Sequence, residues 1–269
     1  KIPLYREMPD SPYVQAPYLG TYYYLLNTQR PPVDDVRVRK ALAMSVDRDK
    51  LVRSVLQNTA VPAYSITPPD TLGYFPPKLF DYNPDEARRL LAEAGYPNGD
   101  GWPGVEILYN TQEAHRKIAV AIQQMWKSEL GIDVTISNQE WKVYLDAVTQ
   151  IDFQVARRGW IGDYVDANNF LDMFITGGGN NNTHYADPVY DDLILYKAPK
   201  AVTREERYAL FTQAETMLME EMPIIPLYTY TSKHLIHPSV DGLYANLMDS
   251  LNLKYVTLVP GRTLPEALR

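Results

Sequence analysis

The chain has 269 residues, with 33 Asp and Glu against 26 Lys and Arg, a formal net charge of -7 and no cysteine. The missing thiol excludes disulfides, a Cys nucleophile and Cys-ligated zinc or iron–sulfur sites, while the acidic balance argues against a nucleic-acid partner, which needs a basic face. The length suits one large domain or two modest ones with a sizeable core, and 21 Tyr with 21 Pro are the compositional oddities.

No apolar run approaches the roughly 18 residues of a membrane span. Lys1–Arg6 has no apolar core or small-residue cleavage site and does not read as a signal peptide, a feature that a trimmed mature chain would share. The stretch before Pro17, with three prolines and scattered charge, reads as an irregular lead-in. Tyr22–Leu26 reads as a strand closed by Asn27 and Pro31-Pro32. Asp35 and Asp47 are helix caps, the first for a helix through Val36, Arg39, Ala41 and Met44, the second for one through Leu51, Val52 and Val55. Residues 62–84 read as a long irregular excursion whose Tyr64, Tyr74, Phe75 and Phe80 seek burial.

Asn83-Pro84-Asp85-Glu86 combines a cap, proline at the first helical position and Glu at the third. The helix it starts ends near Gly95. Val105–Tyr109, a helix from His115 to Leu130, Gly131 and a strand over Ile132–Ile136 predict a parallel crossover. A helix follows over Glu140–Val148 and a short strand over Phe153–Arg157. Gly177–Asn182 is a turn, because no Lys-Ser or Lys-Thr and no helix follow it as a phosphate loop requires. Thr203 and Glu206 form a capping box for a long helix, Ile224–Tyr228 is a strand whose Pro226 marks an edge or bulge, and Leu253–Val259 alternates as a last strand.

The chain offers little for covalent chemistry. His234 and His237 lie three apart without a carboxylate placed beside them, and no serine sits in a nucleophile elbow near His184 and Asp187. No metal or cofactor motif is present. The informative cluster is Arg157 through Tyr164, at a strand end where α/β folds place ligands. Gly159 permits close backbone approach, Trp160 offers a flat wall, and Asp163 can pair a cationic group such as a free amino terminus. A buried tryptophan with a helix-capping aspartate fits the same residue types, and Trp141 divides in the same way between core and pocket wall.

Residues 18–52, 62–69, 86–96, 108–134, 138–146, 153–164 and 181–185, taken in order, resemble the C-terminal half of the periplasmic oligopeptide-binding proteins, solute-binding proteins that serve ABC importers. The resemblance implies an α/β fold, the second lobe of a periplasmic binding protein-like clamp, with a mixed sheet flanked by helices. It implies a crossing segment over residues 1–20, a ligand-binding lobe over 21–232 and a return segment over 233–269. By the family's Gly-Trp-x-x-Asp segment, Asp163 would hold a peptide's α-ammonium. The backbone from Gly159 to Ile161 would pair with the peptide main chain, and Trp160 and Trp141 would wall side-chain pockets. Arg157 and His115 match positions that meet a peptide carboxylate or line pockets, and Tyr228 or Tyr230 would lie near the cleft. One departure is Val148, where the family has a second arginine nine residues before Arg157. The resemblance further implies short peptides and a membrane-embedded ABC permease as partners, no cofactor, no enzymatic activity and a place in the periplasm or on the extracytoplasmic face. Other members bind murein peptides, nickel complexes, haem or sugars, and a module that docks proteins without capturing a ligand is the alternative of another class.

Overall fold

A computed structural model describes residues 2–265. The chain opens with a short helix α1 (Ile2–Arg6) and a long strand β1 (Tyr13–Leu26). Helices α2 (Val36–Met44) and α3 (Arg48–Lys50) follow, the latter passing into a π-turn over Leu51–Val55. Asp35 and Asp47 cap α2 and α3 as the sequence predicts, each accepting from a backbone N–H in the first turn. Strand β2 (Ala60–Pro62), helix α4 (Pro84–Glu93), strand β3 (Val105–Asn110), helix α5 (Glu113–Leu130) and strand β4 (Val134–Gln139) come next. The remainder comprises α6 (Trp141–Thr149), β5 (Val155–Ile161), α7 (Asn168–Leu171), α8 (Pro188–Asp192), α9 (Arg204–Glu221), β6 (Ile224–Leu235), β7 (Val240–Asp241) and β8 (Thr257–Leu258).

Six strands form one mixed sheet in the order β2-β6-β1-β5-β3-β4. The β3–β4 and β3–β5 pairs are parallel, and β1 runs antiparallel to both β5 and β6. Helices cover both faces. That is why Tyr22, Tyr23 and Tyr24 are all buried although successive side chains of β1 point to opposite faces. Trp126 on α5 is fully buried and donates its indole N–H to the Leu42 carbonyl of α2, tying two helices together.

Five expectations change. The lead-in before Pro17 is ordered, because Tyr13–Pro17 pairs with Thr231–Leu235. β5 runs on through Gly159 to Ile161, so Arg157–Ile161 of the informative cluster lie in the strand itself and Gly162–Tyr164 follow it. β6 is long and interior. Pro226 sits at a register shift, where Tyr22 faces Tyr228 but Tyr23 faces Pro226, so it marks a bulge, and β2, which pairs with β6 only over Tyr228–Tyr230, does not reach it. Of the expected strand Leu253–Val259, Thr257 and Leu258 pair with β7 and Leu253–Tyr255 forms a helical turn. Phe75 is 67% exposed instead of buried, whereas Tyr74 and Phe80 are buried.

The irregular 62–84 segment is pinned by two buried charged side chains. Arg48 is wholly buried, donates to the carbonyls of Pro226, Ala43 and Val46, and stacks under the rings of Tyr64 and Phe80 at 5.1 and 4.9 Å. Glu215 of α9, also wholly buried, accepts from the Thr67 backbone N–H and the Tyr74 hydroxyl, both at 2.9 Å.

Candidate functional site

The site begins with a divergence of strands. β3 pairs with β5 only at Ile107 with Val155 and Leu108 with Ala156, while its pairing with β4 continues to Asn110. From Arg157 onward β5 keeps β1 on one side. Among the described residues no strand pairs with its other side. Just past the strand the Gly162 N–H donates to the Leu19 carbonyl at 2.8 Å. Backbone groups alternate direction along an antiparallel pair, so Trp160 and Arg158 also turn toward β1. Gly159 and Ile161 therefore aim their N–H and C=O outward, along the open edge. The outward carbonyl of Arg157 is already taken by the Tyr144 hydroxyl of α6.

One face of this edge is aromatic and cationic. By register Tyr22, Gly159 and Tyr228 lie side by side, with Arg157 two residues along and opposite Tyr24. The Tyr22 and Tyr228 rings stack at 4.7 Å, and the Arg157 guanidinium lies over the Tyr22 ring, 4.7 Å from its centroid. Arg157 donates to Asn110 Oδ1 at 3.3 Å and to the Tyr230 hydroxyl at 3.4 Å. Its Nε is buried without a partner, and no ion pair among the described residues neutralises it. Gly159 makes room: a Cβ there would come within 2.6 Å of the Tyr230 hydroxyl and 3.3 Å of an Arg157 terminal nitrogen. His115, at the start of α5, meets the Tyr22 hydroxyl at 3.3 Å through Nδ1. Burial, aided by the Arg157 charge, lowers its pKa to about 4, so it is neutral at pH 7.

The opposite face carries the tryptophan. Trp160 is half-buried and donates its indole N–H to Asn169 Oδ1 at 3.1 Å. Asp163 follows the strand end and is exposed, and its backbone N–H donates to the same Asn169 oxygen at 2.9 Å. Ile161, 39% exposed, closes the strand over Gly20, where a Cβ would come within 2.5 Å of the isoleucine Cδ1. Trp141 is 50% exposed on α6 and stacks on Tyr144 at 5.8 Å.

The nine predicted residues thus divide. Arg157, Gly159, His115, Tyr228 and Tyr230 gather around Tyr22. Trp160 and Asp163 meet at Asn169. Ile161 ends the strand against Gly20. Trp141 reaches the edge only through Tyr144. Tyr22, Tyr144, Asn110 and Asn169 escape the sequence reading because their neighbours are distant in the chain; the run of three tyrosines signals a strand and nothing more. A concavity of about 570 Å³ between α9 and the segment Asp192–Lys200 is lined by none of the nine. His234 bonds Asp249 at 2.7 Å and His237 bonds Ser239, and no group of three or more metal-ligating side chains occurs among the described residues. No described helix is long and apolar enough to cross a membrane.

Residues 1–182 match the family model of bacterial extracellular solute-binding proteins, family 5 (middle portion). The chain belongs to that family. It is 41% identical over 245 residues to the periplasmic oligopeptide-binding protein OppA of Escherichia coli, covering 89% of this chain and 45% of that protein. Identity to the periplasmic murein peptide-binding protein MppA of E. coli is 40% over 250 residues, covering 90% of this chain and 46% of MppA. The structure of E. coli MppA superposes with a TM-score of 0.84 at 38% identity, over 96% of this chain and 51% of that one. Haemophilus influenzae OppA in complex with the peptide RPPGFSPFR gives 0.79 at 35% identity, over 91% and 50%. The fold is the mixed-sheet α/β fold of these binding proteins. The chain spans about half the length of the curated relatives it matches.

Proposed function

We propose that this chain is the peptide-binding lobe of an oligopeptide-binding protein that delivers short peptides to an ABC importer, on the periplasmic or extracytoplasmic side of the membrane. The observation that carries the reading is the open β5 edge. It offers the backbone of Gly159 and Ile161 to an added strand, and an exposed Asp163 stands just beyond the strand end. Main-chain pairing reads what all peptides share and leaves side-chain identity free, as strand addition does elsewhere. Asp163 would receive the α-ammonium. Arg157, half-buried and without a counter-ion among the described residues, would favour a carboxylate on the tyrosine-lined side. Trp160 and Trp141 would wall side-chain pockets. No covalent step, metal or cofactor is needed.

Tyr13–Pro17 and Thr231–Leu235 run side by side to one end of the sheet. They suit the two crossings, over residues 1–20 and 233–269, that flank a binding lobe over 21–232. Ligands are bound tightly when most of their surface is covered, so a lobe facing one side of a peptide would bind weakly unless a second lobe closed over it. Titration of the chain with a tripeptide and its N-acetylated form, followed by NMR at millimolar peptide, tests the reading. The free-amine peptide should bind more tightly, and Asp163→Asn should remove the difference. Equal affinity of the two peptides for the parent chain would overturn the anchor at Asp163.

A further inference from the structure

We propose that Asn169 is a positioning residue that sets the geometry of both the Trp160 wall and the Asp163 anchor; the inference rests on the peptide-binding reading above. Asn169 is 4% exposed and lies in α7, a four-residue helix. Its Oδ1 accepts the Trp160 indole N–H at 3.1 Å and the Asp163 backbone N–H at 2.9 Å. A carbonyl oxygen has two lone pairs, so the two bonds saturate it. Neither partner can accept a hydrogen bond, which fixes the amide orientation: the oxygen, not the NH₂, must face them.

The consequence is a coupling between two groups that the strand alone would leave independent. Trp160 lies within β5, while Asp163 lies past Gly162 in a turn. Gly162 itself leaves no room for movement toward β1, since a Cβ there would lie 2.7 Å from a Leu19 methyl and 3.3 Å from Asn169 Oδ1. One buried oxygen thus holds the indole at a fixed angle and holds the peptide unit entering Asp163, so the exposed carboxylate starts from a fixed Cα. A preorganised anchor binds better than one that must be ordered by its ligand. Removing the acceptor would also leave the Asp163 N–H without its partner in a half-buried turn.

Asn169→Leu keeps the side-chain size and deletes the acceptor, whereas Asn169→Asp keeps an acceptor. Each is compared with the parent by the ¹⁵N–¹H signal of the Trp160 indole without ligand, and by titration with a tripeptide and its N-acetylated form. The leucine variant should shift the indole signal toward that of a free N–H and reduce the preference for the free-amine peptide at least fivefold. The aspartate variant should retain both the indole signal and the preference. Equal weakening of both peptides in Asn169→Leu would make Asn169 merely structural and overturn the proposal, as would an unchanged preference. Should the leucine variant fail to fold, the same comparison in Asn169→Ala decides by the same criteria. A parent chain without any preference would bring down the peptide-ammonium reading, and an indole signal unchanged in the leucine variant would bring down the positioning role by itself.

Discussion

The hydroxyl of Tyr230 occupies the space that a side chain on residue 159 would need, 2.6 Å from the position of its Cβ, and from there it touches Arg157 at 3.4 Å. Glycine at this point of β5 is thus a requirement of strand β6, whose Tyr230 reaches across the intervening β1, and not of backbone conformation. It lets the tyrosine lie across the strand and flank a guanidinium that no carboxylate among the described residues neutralises.

Gly159→Ala should therefore destabilise the protein by about 1–3 kcal/mol, the usual range for forcing extra atoms into a packed site. Tyr230→Phe removes the atom that clashes, because the next ring carbon stands at an ordinary 3.6 Å. The double variant should recover much of the loss seen in Gly159→Ala alone. Urea denaturation of the two single variants and the double variant measures the coupling, and strict additivity would contradict the packing account.

Glu215 makes stability depend on pH. Burial raises its pKa from 4.5 to about 7, against the lowering effect of its hydrogen bonds with Thr67 and Tyr74. The folded protein then binds more protons than the unfolded chain between about pH 4.5 and 7, so this group's contribution declines as pH rises through that window and is flat above it. His115 works in the opposite sense. Its folded pKa is depressed to about 4, so its contribution is present above its ordinary 6.5 and is lost as pH falls toward 4. Glu215→Gln keeps polar atoms beside Thr67 and Tyr74 and removes only one titration, while His115 titrates in both proteins. The stability difference between variant and parent should be near zero at pH 4.5 and grow in favour of the variant, to on the order of 3 kcal/mol by pH 8. A difference independent of pH would contradict a buried, proton-binding Glu215.

Arg48→Ala should destabilise by about 3 kcal/mol or more, since it empties a buried site and strips three carbonyls of their donor. Arg48→Lys should recover only part, because an ammonium lacks the planar fork that reaches α2 and β6 together. Thermal unfolding of the two variants checks the order, and a lysine variant as stable as the parent would refute the cross-link.

What the sequence makes legible is local chemistry. The starts of α2, α4 and α9 follow from Asp35, Asn83-Pro84 and the Thr203–Glu206 box, and the end of α5 follows from Gly131 with its positive φ, because capping acts within one turn of the chain. β5 and β6 are underestimated for the complementary reason. Gly159 and Pro226 look like strand breakers, yet one is demanded by Tyr230 and the other is absorbed by a bulge against β1, and both partners are distant in sequence. In the candidate site, Asp163 and Trp160 stand out by residue type and by their Gly-Trp-x-x-Asp spacing. Tyr22, which meets His115 across 93 positions, and Asn169, whose amide faces inward, carry no local signature.

The central claim is that β5 accepts a peptide as an added strand, and amide hydrogen exchange tests it most directly. Arg158 and Trp160 already face β1, so their N–H groups should exchange slowly with or without ligand, while those of Gly159 and Ile161 should exchange fast in the free protein. A saturating tripeptide should slow Gly159 and Ile161 by tenfold or more and leave Arg158 and Trp160 unchanged. Protection that appears elsewhere, with Gly159 and Ile161 still exchanging fast, would contradict the account.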